Sequence, residues 1–376
     1  MTRLWIVALF SAGMAAFQPL NAQMIRPVEN YTQHRVAVQY ARGMLIPHSK
    51  VMLGLPQGAV EQIELFYERQ LRGGKDWHQH HALPAYRIFA SVTSFSNPGA
   101  IGLAWTAGGQ MSFPIVRSKC FQLSQVTAVG LGFFPLRYQR AKHESQPAIG
   151  SLLNYNIRLG FEASFRPYRH LELFSGLSFG HWSNGALKMP NLGLNVAAFS
   201  FGIKAGWGFF YAAKEKRRFA RQPFVLHMVL SSGSKQIDPP GGKIFPIASL
   251  YIEAARRFTP KSGLTLGTDF FYDSSIRSKA LAREQEDRGG RMNFRFGIHA
   301  GYEFYIHRFA AFFHFGVYAL RYDRLTGILY QRIGIKYELP ARIILTTALK
   351  SHMFTADCVE FGLGYRLPLI RKKIRS

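Results

Sequence analysis

From position 153 to 166 the chain alternates almost without a break. Leu153, Tyr155, Ile157, Leu159, Phe161, Ala163 and Phe165 share one face, and Asn154, Asn156, Arg158, Glu162, Ser164 and Arg166 share the other, because side chains along a strand point to opposite faces in turn. Positions 292–306 repeat the pattern. Phe294, Phe296, Ile298, Ala300, Tyr302 and Phe304 oppose Asn293, Arg295, Gly297, His299, Gly301 and Glu303. Soluble sandwiches alternate too. An apolar face set against a charged one, again and again in a chain holding Phe 32, Tyr 17 and Gly 35, is instead the pattern of a barrel with its apolar side toward lipid and its polar side toward the lumen.

The first residues give the address. Arg3 is followed by an apolar run from Leu4 to Phe17 and by Leu20-Asn21-Ala22, which has the order of a signal peptide ending at about residue 22. The run is too short to span a bilayer as a helix. Net charge is +26, and the leader carries only Arg3 of that. Such an excess suits nucleic acid or an anionic surface. Export removes the nucleic acid, leaving anionic head groups such as the phosphates of lipopolysaccharide. Cys120 and Cys358 are too few to form a disulfide framework.

Strands are expected at 86–95, 100–113, 121–134, 152–166, 171–183, 195–211, 224–232, 244–258, 264–273, 292–306, 309–320, 328–339, 343–351 and 358–367. Two further candidates precede them, at 35–45 and 58–70. The fold class expected is therefore all-β: one transmembrane antiparallel barrel of the bacterial outer membrane with about fourteen strands, or about sixteen with the N-terminal pair. The domain reading is a leader at 1–22, an N-terminal segment at 23–85, the barrel at 86–367 and a basic periplasmic tail at 368–376. Connections near 167–170, 307–308 and 340–341 are short, and those at 140–150, 184–194, 235–243 and 274–290 are longer. Barrels of this class keep short turns in the periplasm, so both termini are expected there and residues 181–195 at the outer end. The histidines of 76–81 read as a solvated loop, and no metal or other cofactor is expected.

Chemistry concentrates at 181–195. His181 and Ser183 share a face with Leu171, Leu173, Leu177 and Phe179, and Asn195 shares one with Ala197, Phe199, Phe201, Ile203, Ala205 and Trp207. A polar trio at the ends of two neighbouring strands, on their apolar face, needs an explanation. A serine hydroxyl becomes a nucleophile when a base takes its proton, and a third group usually orients that base. Side chains two apart on a strand project side by side, which suits Ser183 and His181. Asn195 is placed to hold the imidazole. Asn184, Gly185 and Asn191 read either as amide donors to an oxyanion or as ordinary turn residues.

The string His181-x-Ser183-Asn184-Gly185, followed by Pro190-Asn191-x-Gly193, resembles the signature of the PagL-like lipid A deacylases, the acyloxyacyl hydrolases of the outer membrane. A looser likeness runs through Ile149-Gly150-Ser151-Leu152-Leu153-Asn154. The resemblance implies His181 as base, Ser183 as nucleophile, a site facing out of the barrel into the outer leaflet, and lipid A as substrate. Asn195 stands where that family usually has a glutamate. The spacing of Asn195 is similar to that of the triad asparagine of outer-membrane phospholipase A. Ala186 and Asn191 replace that enzyme's arginine and calcium-binding serine, so calcium dependence is not implied. The family's barrel is smaller than the one expected here, which leaves the second half of the chain without an account.

The reading is an outer-membrane serine esterase that removes an ester-linked acyl chain from lipid A. Two alternatives stand beside it. One is phospholipid acyl hydrolysis. The other is a non-catalytic porin or structural barrel, which the inward-facing Arg158, Glu162, Arg295, His299, Arg332, Lys336 and Glu338 would permit.

Overall fold

Among the described residues sixteen strands form, on stretches that alternate with period two. The structure, a computed structural model, describes residues 31–48, 50–53, 58–95, 99, 101–139, 148–210, 219–220, 222–237, 239–353 and 355–369. The expected leader, and the tail beyond 369, lie outside the described residues. In order the strands are β1 (Tyr31–Leu45), β2 (Ala59–Gln70), β3 (Ala85–Phe95), β4 (Leu103–Arg117), β5 (Phe121–Phe133), β6 (Leu153–Tyr168), β7 (Leu171–Ser183), β8 (Leu194–Phe210), β9 (Val225–Gln236), β10 (Ile244–Arg257), β11 (Ser262–Asp273), β12 (Phe294–Ile306), β13 (Phe309–Arg321), β14 (Leu329–Glu338), β15 (Ile343–His352) and β16 (Thr355–Pro368). Among the described residues, short α-helices α1 (Lys50–Leu53), α2 (Asp76–His80) and α3 (Ser275–Leu281) lie in connections, as do 3-10 turns at Gly289–Asn293 and Pro340–Arg342.

The single barrel of about fourteen strands is not what forms. Strands β1–β8 close one barrel and β9–β16 close another. The register gives the reason. β8 takes β1 as its second neighbour, from Tyr31 opposite Phe210 to Leu45 opposite Val196, which leaves it no edge for β9. β9 pairs instead with β16, from Phe361 opposite Ser232 to Pro368 opposite Val225. The two N-terminal candidates are thus required strands, and the described residues hold sixteen. Alternation fixes the face that each residue takes. It says nothing of which edge meets which.

Each barrel is polar inside and apolar outside. In the first, Leu177 is 64% exposed and Phe201 56%, whereas Arg35, Arg87, Glu68, Glu162, Glu172 and Lys204 are buried. An eight-stranded barrel has room for little beyond its own side chains. Here they pair: Arg87 reaches Glu68 at 2.6 Å and Glu162 at 2.7 Å, and Lys204 reaches Glu162 at 2.6 Å and Glu172 at 2.8 Å. The second barrel repeats the device with other residues. Arg332 pairs with Asp269 at 2.6 Å and Glu360 at 3.0 Å, and Lys336 with Glu303 at 2.7 Å. Both interiors are filled by ion pairs.

Toward the end of the first barrel that carries the β7–β8 connection, the filling becomes apolar. Phe95, Ile101, Phe134, Ile149, Trp182 and Leu194 form one buried cluster there with Met52 of α1. Trp182 near the end of β7 and Leu194 at the start of β8 belong to that cluster, which anchors the two strand ends.

Candidate functional site

Trp182 sets the directions of its neighbours. Its indole points inward, donates to Thr106 Oγ1 at 3.2 Å and meets Phe95 edge-on with ring centroids 5.5 Å apart. With residue 182 anchored inside, pleating turns His181 and Ser183 to the outer face. Asn195 lies directly opposite His181 across the β7–β8 ladder. On the other flank, β6 sets Ile157 opposite His181 and Tyr155 opposite Ser183.

These three side chains meet. His181 Nε2 lies 3.0 Å from Ser183 Oγ, and His181 Nδ1 lies 2.6 Å from Asn195 Oδ1. An amide oxygen only accepts, so His181 donates its Nδ1–H to Asn195. A neutral imidazole then has its lone pair on Nε2, facing the serine hydroxyl. Asn195 and Ser183 are buried and His181 is half-buried, so the array sits at the surface without being loose in solvent.

Sequence reasoning missed a fourth side chain. His48, in the connection after β1, places Nδ1 3.0 Å from Asn195 Nδ2 and Nε2 2.8 Å from the Leu192 carbonyl. The main chain supports the approach, for the Ile46 amide donates to the Asn195 carbonyl at 2.8 Å. Nothing in the spacing of residues 46–48 announces this contact, which links positions far apart in the chain.

The connection that follows Ser183 is braced from within. The Asn184 main-chain N–H donates to Asn191 Oδ1 at 2.9 Å, and the Asn184 side-chain amide donates to Ser151 Oγ at 2.9 Å. Gly185 has φ 65°, a turn conformation that suits glycine. Gly193 has φ 75°, and a Cβ there would lie 2.7 Å from His181 Cε1 and 2.9 Å from the Trp182 carbonyl. The string Pro190-Asn191-x-Gly193 thus contains one residue that packs directly on the imidazole.

Elsewhere, the His-rich stretch at 76–81 is not a loop throughout. Asp76–His80 forms α2, and His81 packs on Phe113. Among the described residues, the side chains whose donor atoms approach closely enough to share an ion are Glu253, His299 and His314, and His227, Glu253 and Glu303, all inside the second barrel. The His299 and His314 rings are stacked, with centroids 4.2 Å apart and planes 8° apart. The Nε2 atoms of both rings lie 3.1 Å from the same oxygen, Glu253 Oε2. His299 is engaged with Asp269 at 2.6 Å. Both cysteines are free thiols.

Two family models match the chain. One, described as Lipid A 3-O-deacylase (PagL), matches residues 61–204, and the other, described as Acyloxyacyl hydrolase, C-terminal domain, matches residues 224–369. They define an ester hydrolase built on β-barrels. The chain belongs to the PagL family of acyloxyacyl hydrolases. The second half, which the resemblance left without an account, has a family model of its own that covers β9–β16. Three solved structures are similar in part. Neisserial surface protein A aligns with a TM-score of 0.33 at 8% identity, over 46% of this chain and 97% of its own. The outer membrane enzyme PagL aligns with a TM-score of 0.31 at 16% identity, over 44% and 97%. A mutant Rh. blastica porin aligns with a TM-score of 0.19 at 9% identity, over 89% and 100%. No curated protein matches the chain.

Proposed function

We propose that the protein is a serine esterase of the bacterial outer membrane that removes an ester-linked acyl chain from lipid A, with Ser183 as nucleophile, His181 as base and Asn195 as the group that orients the base. One observation carries this reading: the unbroken array from Asn195 Oδ1 through His181 to Ser183 Oγ, with contacts of 2.6 and 3.0 Å, on the outward face of the first barrel. Membrane placement draws support from the exposed apolar side chains around that barrel, including Leu173, Leu177, Phe199 and Phe201, which need a lipid partner. The proposed orientation has the termini in the periplasm and the 181–195 end outermost, supported by the even number of strands in the first barrel, which puts the β7–β8 connection at the end opposite the termini. The acyl ester of lipid A, at the edge of the hydrocarbon, then lies level with the array while water reaches it from above.

In the reaction, Ser183 Oγ attacks the ester carbonyl as its proton passes to His181 Nε2. The imidazolium is stabilised through Nδ1–H by Asn195, less than a carboxylate would achieve, because the amide carries no charge. The tetrahedral oxyanion needs a donor. Of Asn184, Gly185 and Asn191, Asn184 has its main-chain N–H committed to Asn191 Oδ1. That bond engages Asn191 Oδ1 in the connection after Ser183, which supports the Asn191 NH₂ as the donor to the oxyanion. Gly185 supports the turn. The oxyanion collapses, the alcohol leaves with the proton from His181, and water activated by the same imidazole hydrolyses the acyl-serine. None of these residues calls for a metal, and the ion-paired lumens argue against a pore.

The test is mass spectrometry of lipid A from cells that express the wild type or Ser183→Ala. Loss of one acyl chain in the wild type alone is expected. Identical lipid A from both strains, with both proteins inserted, removes the reading; acyl release from phospholipid in place of lipid A moves it to the phospholipase alternative.

A further inference from the structure

A neutral amide has a wrong way round. If Asn195 turned its NH₂ toward His181 Nδ1, that nitrogen would have to accept, the ring proton would move to Nε2, and the lone pair facing Ser183 would be lost. A carboxylate presents an acceptor whichever way it is turned. An asparagine in this position therefore needs something to hold its amide, and His48 meets that need. The Leu192 carbonyl accepts only, so His48 Nε2, 2.8 Å away, carries the proton. In the neutral ring Nδ1 is then an acceptor, and it lies 3.0 Å from Asn195 Nδ2. Each proton along the chain from Leu192 through His48, Asn195 and His181 to Ser183 is thereby assigned, and the assignment ends with a basic Nε2 at the hydroxyl.

Resting on the serine reading above, we infer that His48 is a positioning residue: anchored on the Leu192 carbonyl, it holds the Asn195 amide in the one orientation that leaves His181 able to act as a base. His48 does not touch the reacting atoms. It works through the side chain whose charge is missing.

The experiment measures acyl release by the full-length protein in lipid A-containing micelles, for His48→Ala in two backgrounds, Asn195 and Asn195→Asp. With Asn195, loss of His48 is expected to lower kcat by about 10-fold to 100-fold, the order of effect that outer partners have at metal-bound histidines, with KM little changed. With aspartate at 195, the same loss is expected to have no effect on kcat, because no amide remains to be held. His48→Asn gives a second reading, since its side-chain carbonyl can accept from Asn195 where Nδ1 did. It is expected to recover most of the activity that His48→Ala loses, and His48→Leu is expected to recover none. An equal loss in both backgrounds would assign His48 to loop structure and overturn the inference. So would full activity of His48→Ala beside an inactive Ser183→Ala, an outcome that leaves the serine reading standing. Should the Asn195→Asp protein be inactive, the comparison of His48→Asn with His48→Leu decides. Activity in Ser183→Ala would overturn both readings.

Discussion

Gly193 tests how tightly the imidazole is held. A methyl group at this position would lie 2.7 Å from His181 Cε1, with the Trp182 carbonyl 2.9 Å away on the same side, so the ring has to yield. A displacement of about 1 Å at a reacting group costs on the order of 100-fold in rate, and Gly193→Ala is expected to lose about that much kcat in the acyl-release assay. Gly241 supplies the control. Its φ is 82°, yet no atom lies within 4 Å of its absent Cβ, so Gly241→Ala introduces the same left-handed strain without the collision and is expected to keep wild-type activity. Loss of activity in both variants would mean that backbone strain, not contact with His181, limits position 193. His181, Ser183 and Asn195 were legible in the sequence because period-two alternation puts all three on one face at the ends of adjacent strands. His48 was not legible. It belongs to a connection, where no periodicity constrains direction, and its partner becomes its neighbour only when β1 closes against β8.

Strands were legible for the same reason as the site. β7 falls at Leu171–Ser183 as expected, several other ends fall where expected too, and those that move do so by a few residues, as when β4 runs on to Arg117 and β9 to Gln236. Inward charges were legible as a face but not as partners, because the ions that meet across a lumen come from strands distant in sequence. Arg87 of β3 joins Glu68 of β2 to Glu162 of β6. Removing one member of such a buried array leaves the others unpaired at a cost of about 3–5 kcal/mol. Arg87→Leu is therefore expected to move the urea unfolding midpoint of the refolded protein well below that of the wild type, while Arg277→Leu, which breaks an exposed pair with Asp287, leaves it nearly unchanged. Equal midpoints for the two variants would mean that the lumen array adds little to the stability of the barrel.

At the scale of the molecule, the closure of two sheets decides what depends on what. His48, His181, Ser183, Gly193 and Asn195 lie on β7, β8 and the connections of β1–β8, and every rung of that sheet is made within it, down to the β1–β8 seam. A single barrel of about fourteen strands would have been opened by a cut after β8, with unpaired edges that lipid does not tolerate. Two closed barrels predict the opposite. A chain ending at residue 217 and refolded into detergent micelles is expected to form its full sheet, seen as heat-modifiable migration on a gel, and to retain acyl release that Ser183→Ala abolishes. The complementary chain from residue 219 is expected to fold as well and to release no acyl chain. A first barrel that folds but is inactive would give β9–β16, the part matched by the C-terminal family model, a direct share in catalysis. A first barrel that fails to fold would show that its ladder, although closed, does not support itself without the second.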